Sequence, residues 1–249
     1  DTMSSAFGSA GQRCSAARVL FVQSDIADKV IDMLAGAMDE LSVGDPGLLS
    51  TDVGPVIDAD ALATLQAHAE RMNREARLIR EVPLADHCAH GTFFAPRAYE
   101  LKSLDQLERE VFGPVLHVIR YDAADLDRVI DQINATGYGL TLGIHSRIDD
   151  TVARIASRVK AGNCYVNRNM IGAVVGVQPF GGEGLSGTGP KAGGPHYLAR
   201  FATERTLTIN TPAAGGTPFL HTRGHFPRLA GPPPRLWGAA PLPSSRGLQ

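Results

Sequence analysis

Cysteine is scarce in this 249-residue chain. Cys14, Cys88 and Cys164 are odd in number and unclustered, which excludes a disulfide framework and a four-thiolate zinc site. Excess charge is also missing. With 24 basic and 26 acidic side chains the formal charge is −2, so nothing in bulk electrostatics favours nucleic acid or an anionic membrane, and any ligand has to be recognised locally. No apolar run approaches the ~20 residues needed to cross a bilayer. The opening Asp1-Thr2-Met3-Ser4-Ser5 has neither the basic flank nor the apolar stretch of a signal peptide, so a cytoplasmic location without a membrane span is expected.

What is present is an ordinary globular mixture, 43% hydrophobic and 20% charged, long enough for one large domain or two small ones. Strand-like and helix-like runs alternate, the pattern of an α/β fold with a largely parallel sheet flanked by helices. Ala17 to Val22 reads as a strand, followed by a helix with apolar positions Ile26, Val30, Leu34, Ala37 and Leu41. Leu62, Leu65, Ala69, Met72 and Ala76 mark a second helix that Asp58 is placed to cap, with Arg77 to Arg80 beginning the next strand. Leu116 to Arg120 leads into a helix through Leu126, Val129, Ile130 and Ile133. Leu140 to His145 leads into one through Val152, Ile155 and Val159, and Asn163 to Asn167 is a further short strand.

Two stretches break this alternation. From Phe180 to Pro195 the chain is dense in glycine, which predicts a loop whose backbone passes close to something. From Thr217 to Gln249 there are four arginines, no acid, seven of the 16 prolines and the single tryptophan, Trp237; this composition predicts an irregular, disordered tail. The abrupt change suggests a stretch read from a shifted frame of GC-rich DNA, in keeping with the 16 arginines and four lysines of the preceding residues.

The segment Phe7-Gly8-Ser9-Ala10-Gly11-Gln12-Arg13-Cys14-Ser15 sets a cysteine after a glycine-containing stretch and beside an arginine. Nearby positive charge favours the thiolate, the nucleophilic form, although a lone cysteine is as readily a small buried hydrophobe. Cys164, in a strand-like run, has the latter character. His87, Cys88 and His90 share a polar loop but lack a fourth ligand, and no metal site is expected. Gly187 to Ala192 has glycine spacing reminiscent of a dinucleotide loop, yet it follows no strand and contains Pro190.

The residues 9–15, SAGQRCS, resemble the nucleophile segment of the aldehyde dehydrogenase superfamily. Glu110-Val111-Phe112-Gly113-Pro114 is similar to a second element of that family, and Asn134 to Thr141 followed by the Pro179 to Gly182 loop is similar to a third. Over 1–216 the resemblance is closest to the glutamate-semialdehyde dehydrogenases, in particular the dehydrogenase half of bifunctional proline utilisation A proteins. It implies a catalytic domain over 1–194, an oligomerisation flap over 195–216 and then the tail. It further implies Cys14 as nucleophile, Glu110 and Phe112 on the nicotinamide side of NAD, Ser15 with the Gly172 and Ala173 backbone on the substrate α-carboxylate, and Phe180 against its aliphatic chain. The implied activity is NAD-dependent oxidation of glutamate semialdehyde to glutamate in proline catabolism, within a homo-oligomer and with no nucleic-acid partner.

The family's general-base glutamate lies in an E-L-G-G segment, and no such segment occurs in the thirteen residues before Cys14. The chain is therefore expected to be the C-terminal part of such an enzyme, without the dinucleotide-binding half and inactive alone. Oxidation of a different carboxylated semialdehyde, or a relative that keeps only the fold, are the alternatives.

Overall fold

The computed structural model describes residues 1–208 and 210, so the proline- and arginine-rich stretch 217–249 lies outside the described residues. Asp1–Ala202 form one compact unit; of Thr203–Gln249, the described residues make no helix or strand.

The elements run α1 (Thr2–Phe7), β1 (Val19–Gln23), α2 (Ser24–Asp39), α3 (Ala59–Glu75), β2 (Arg77–Glu81), β3 (Arg97–Leu101) and β4 (Val115–Tyr121). They continue with α4 (Leu126–Ala135), β5 (Tyr138–Gly139), β6 (Thr141–Ile144), α5 (Asp149–Arg158), β7 (Asn163–Val166) and β8 (Glu183–Gly184). The main sheet has the order β1-β4-β3-β2; β1, β4 and β3 are parallel, and only β2 runs against its neighbour. A parallel pair β6-β7 joined through α5 and a two-residue ladder β5-β8 are separate sheets among the described residues. The fold is thus α/β with a largely parallel sheet and flanking helices.

The central strands β3 and β4 are largely buried, as the middle of a covered parallel sheet must be. Successive residues of β4 point to opposite sides. Leu116 and Val118 pack with Ile31, Leu34 and Met38 of α2, whereas Val115 and Ile119 pack with Leu65 and Met72 of α3. Local signals account for α3: the Asp58 carboxylate accepts from the Ala61 N–H at 2.8 Å, and Leu65, Ala69 and Met72 form its buried stripe.

The helix of α2 forms as the sequence suggests, but its buried face is rotated. Ala27, Ile31, Leu34 and Met38 are inside, while Ile26 is exposed. The small Ala27 lets the helix approach the sheet closely, and its own full burial marks the contact. Strand β3 is a central strand that the alternation does not reveal, because its Arg97 and Glu100 look like surface charges. They are neutralised by Glu81 and by Arg77 and Arg120 on the strands alongside.

Candidate active site

Cys14 follows a turn of unusual backbone. Ser9, Ala10 and Gly11 have φ of 55°, 53° and 63°, three successive residues in the left-handed region. Only glycine adopts this readily, so the turn is held by contacts rather than by propensity. At Gly11 the contact is with the other recognised segment: a Cβ built there would lie 2.1 Å from the Gly113 carbonyl oxygen. The Cys14 turn and the Glu110 to Pro114 segment therefore meet backbone against backbone.

Arg18, at the entrance to β1, clasps both. Its Nε donates to Glu110 Oε1 at 3.1 Å, Nη1 to the Gly11 and Gly113 carbonyls at 2.5 and 3.4 Å, and Nη2 to the Arg13 carbonyl at 3.0 Å. Its guanidinium carbon lies 4.6 Å from the centre of the Phe112 ring, a cation–π distance. Burial lowers the Arg18 pKa from its ordinary value, and the Glu110 carboxylate opposes that shift. The group remains a cation. Arg13, the charged neighbour apparent in sequence, is exposed and turns its Nε to Ser9 Oγ at 2.9 Å.

Cys14 is exposed and, with Arg18, Glu110 and Phe112, lines a cleft of about 900 Å³. Val19 to Phe21 of β1, Thr141 to Ile144 of β6 and Arg168 also line it. The Glu110 side chain is 51% exposed despite its contact with Arg18, so it can still accept from a ligand. A carboxylate and an aromatic face beside the cysteine have the chemistry to hold a ribose and a flat ring.

The residues expected on the substrate side are placed differently. Ser15 is buried directly behind Cys14, and its carbonyl accepts from Thr141 Oγ1 at 3.4 Å. Gly172 has φ of +73°, and a Cβ there would lie 3.9 Å from Arg13 Nη1, so this turn does come beside the nucleophile segment. Neither the Gly172 nor the Ala173 N–H finds a backbone acceptor among the described residues. Phe180 is half-buried in a two-way backbone bridge with Ala192, at 3.0 and 2.9 Å. None of Ser15, Gly172, Ala173 and Phe180 lines the cleft that holds Cys14.

Two groups beside the site carry no sequence signal. His117 of β4 is fully buried; its Nδ1 lies 3.0 Å from the Arg18 carbonyl and its Nε2 2.9 Å from His68 Nε2 on α3. A carbonyl only accepts, so His117 carries its proton on Nδ1 and accepts from the Nε2–H of His68. Burial, reinforced by nearby arginines, pushes both rings down to about 4, which leaves the pair neutral at ordinary pH. In the polar loop ahead of β3, His87 Nε2 and Cys88 Sγ both approach the Val43 carbonyl, at 3.2 and 3.6 Å; among the described residues no cluster of metal-ligand side chains occurs. No helix there is long and apolar enough to cross a membrane.

An α/β unit with an exposed cysteine on a strained turn, backed by a carboxylate and an aromatic ring, is that of the aldehyde dehydrogenase family, whose model matches residues 1–207; the chain belongs to this family. It is 56% identical over 210 residues to the bifunctional protein PutA of Klebsiella aerogenes, an alignment covering 82% of this chain and 16% of that protein. Proline utilization A of Bradyrhizobium japonicum superposes with a TM-score of 0.80 at 63% identity, over 85% of this chain and 21% of that one. The 1-pyrroline-5-carboxylate dehydrogenase from Thermus, solved with bound NAD, gives a TM-score of 0.73 at 35% identity, over 80% and 38%. The chain thus spans about a sixth of the curated PutA relatives it matches. The relatives it resembles are thus PutA proteins and a 1-pyrroline-5-carboxylate dehydrogenase.

Proposed function

We propose that this chain supplies the nucleophile and the nicotinamide side of an NAD-dependent dehydrogenase that oxidises glutamate semialdehyde to glutamate. The observation that carries the reading is the convergence of Cys14, Glu110 and Phe112 on one cleft through Arg18. Cys14 Sγ adds to the aldehyde carbon, forming a C–S bond and a hemithioacetal. NAD, when bound, supplies the acceptor for the hydride that leaves this carbon. Water then cleaves the resulting thioester, releasing the carboxylic acid and restoring the thiol.

Glu110 would accept the ribose hydroxyls and Phe112 would lie against the nicotinamide. The buried Ser15 with the Gly172 and Ala173 amides would hold the substrate α-carboxylate, and Phe180 would flank its methylene chain; the two amides left without a backbone acceptor support this role. The general base and the adenine and pyrophosphate contacts would come from polypeptide beyond these residues. The 249-residue chain by itself is accordingly expected to be inactive. Residues 195–216 would serve as an oligomerisation flap in a cytoplasmic homo-oligomer.

The test is NAD-dependent oxidation by the intact protein of glutamate semialdehyde and of a small aldehyde without a carboxylate. Glutamate semialdehyde should be strongly preferred, and Cys14→Ser should abolish both activities. Equal turnover of both aldehydes would overturn the substrate assignment, and full activity in Cys14→Ser the nucleophile assignment.

A further inference from the structure

We infer that Arg18 is the positioning residue through which cofactor occupancy is communicated to the cysteine turn. The inference rests on the functional reading above and adds a role for a residue that touches neither reacting atom.

A guanidinium offers five N–H donors in one rigid plane. Arg18 uses that plane on two segments far apart in the chain: the Glu110 carboxylate, 92 positions from Arg18, on one side, and on the other the Gly11 and Arg13 carbonyls that flank Cys14. The Phe112 ring lies over the same plane at 4.6 Å. Both proposed nicotinamide contacts and the turn that aims the nucleophile are thus fixed to one group. Rotation of the guanidinium to follow Glu110 or Phe112 would release carbonyls of a turn with three left-handed residues, which has no intrinsic preference for its shape.

The main chain of Arg18 is itself anchored. Its carbonyl accepts from both the backbone N–H and the Nδ1–H of His117, each at 3.0 Å, so the side chain pivots from a fixed point on the central strand. Only one oxygen of Glu110 is engaged by Arg18, leaving Oε2 for a hydroxyl of the ligand. A ligand drawing on Glu110 and stacking on Phe112 therefore acts on the plane that holds Cys14 in place. Lysine cannot reproduce this: it is a point charge on a flexible stem, with no fork to span the two segments.

The readout that separates coupling from simple stability is Cys14 alkylation by iodoacetamide in the intact protein, with and without saturating NAD. In the wild type, NAD should change the alkylation rate at least severalfold. In Arg18→Lys that factor should fall to within about twofold of unity, the KM for NAD should rise about tenfold, and kcat should fall further than the thermal midpoint alone would suggest. Adding guanidinium ion to Arg18→Ala should restore part of kcat. Glu110→Gln, which keeps the arginine and its carbonyl contacts, should also reduce the NAD effect on alkylation, and it decides the matter if the arginine variants do not fold. An unchanged NAD effect in Arg18→Lys or, failing that variant, in Glu110→Gln overturns the inference, as does a wild type whose alkylation ignores bound NAD. Absence of NAD binding in the wild type, by direct titration, would instead remove the functional reading beneath it.

Discussion

The turn before Cys14 and the turn at Gly172 both run through left-handed backbone, yet they are held in opposite ways. Gly11 is pressed against the Gly113 carbonyl and tied down by Arg18, whereas Gly172 is exposed with only the end of Arg13 nearby. The loop beyond it is fixed at isolated points, notably Asn163, which accepts from the Gly181 N–H at 3.1 Å and donates to the Pro179 carbonyl at 3.0 Å. The cysteine side is held by the polar contacts of Arg18, whereas on the proposed substrate side the Gly172 and Ala173 amides find no backbone acceptor among the described residues. A nucleophile needs fixed geometry, whereas a carboxylate-binding turn can close around its ligand.

The largest effect should come from breaking the rigid side. In Gly11→Ala the new methyl would overlap the Gly113 carbonyl and the residue would keep a left-handed φ of +63°. Overpacking and the left-handed penalty together should cost about 4 kcal/mol, read as a lowered midpoint in urea denaturation. A loss below about 1 kcal/mol would mean that the two segments separate easily and that the turn is not locked.

Acid should attack the same side next. His68 and His117 are held at about 4 in the fold, against 6.5 when unfolded. Their contribution to stability is therefore complete above pH 6.5 and is lost as the pH falls from there towards 4, because the unfolded chain takes up protons that the folded pair refuses. For the fully buried His117 this amounts to about 3 kcal/mol. Denaturation midpoints measured between pH 7 and 4 should fall across that window. The fall should be much shallower in the combined His68→Gln and His117→Gln variant; an equal fall would assign the acid sensitivity to other groups.

What the sequence made legible divides along the same line between local and distant causes. The stripe and cap of α3 lie within one stretch and were readable from it. So were the Cys14 and Glu110 segments, as separate pieces. Which of two apolar stripes α2 would bury depended on how closely Ala27 could approach the sheet, and β3 depended on charges supplied by neighbouring strands. Arg18 was invisible as a hub because its partner Glu110 is 92 residues away; an arginine opening an apolar strand four positions after the cysteine was the one available signal.

Selectivity sharpens the comparison from the substrate side. Ser15 is buried behind Cys14, so its hydroxyl belongs to the rigid side, while its proposed partners, the Gly172 and Ala173 amides, belong to the adjustable one. A hydrogen bond to a charged group contributes ~1.5–3 kcal/mol, roughly tenfold to a hundredfold in binding. Ser15→Ala should reduce kcat/KM for glutamate semialdehyde by about that factor and spare a small aldehyde without a carboxylate. Equal loss on both aldehydes would show that Ser15 supports Cys14 instead.

The smallest effect should be Gly172→Ala. The position has the same left-handed backbone as Gly11, with φ of +73°, but a Cβ there meets nothing closer than Arg13 Nη1 at 3.9 Å, an ordinary van der Waals distance. Only the conformational penalty remains, about 1 kcal/mol. Because φ is nearly the same at the two glycines, the difference between their alanine variants isolates the clash with the Gly113 and Ala6 carbonyls, and on these magnitudes it should be about 3 kcal/mol. The urea midpoint of Gly172→Ala should accordingly lie close to that of the wild type. A loss as large as that of Gly11→Ala would show that the Gly172 turn is locked as firmly as the Cys14 turn.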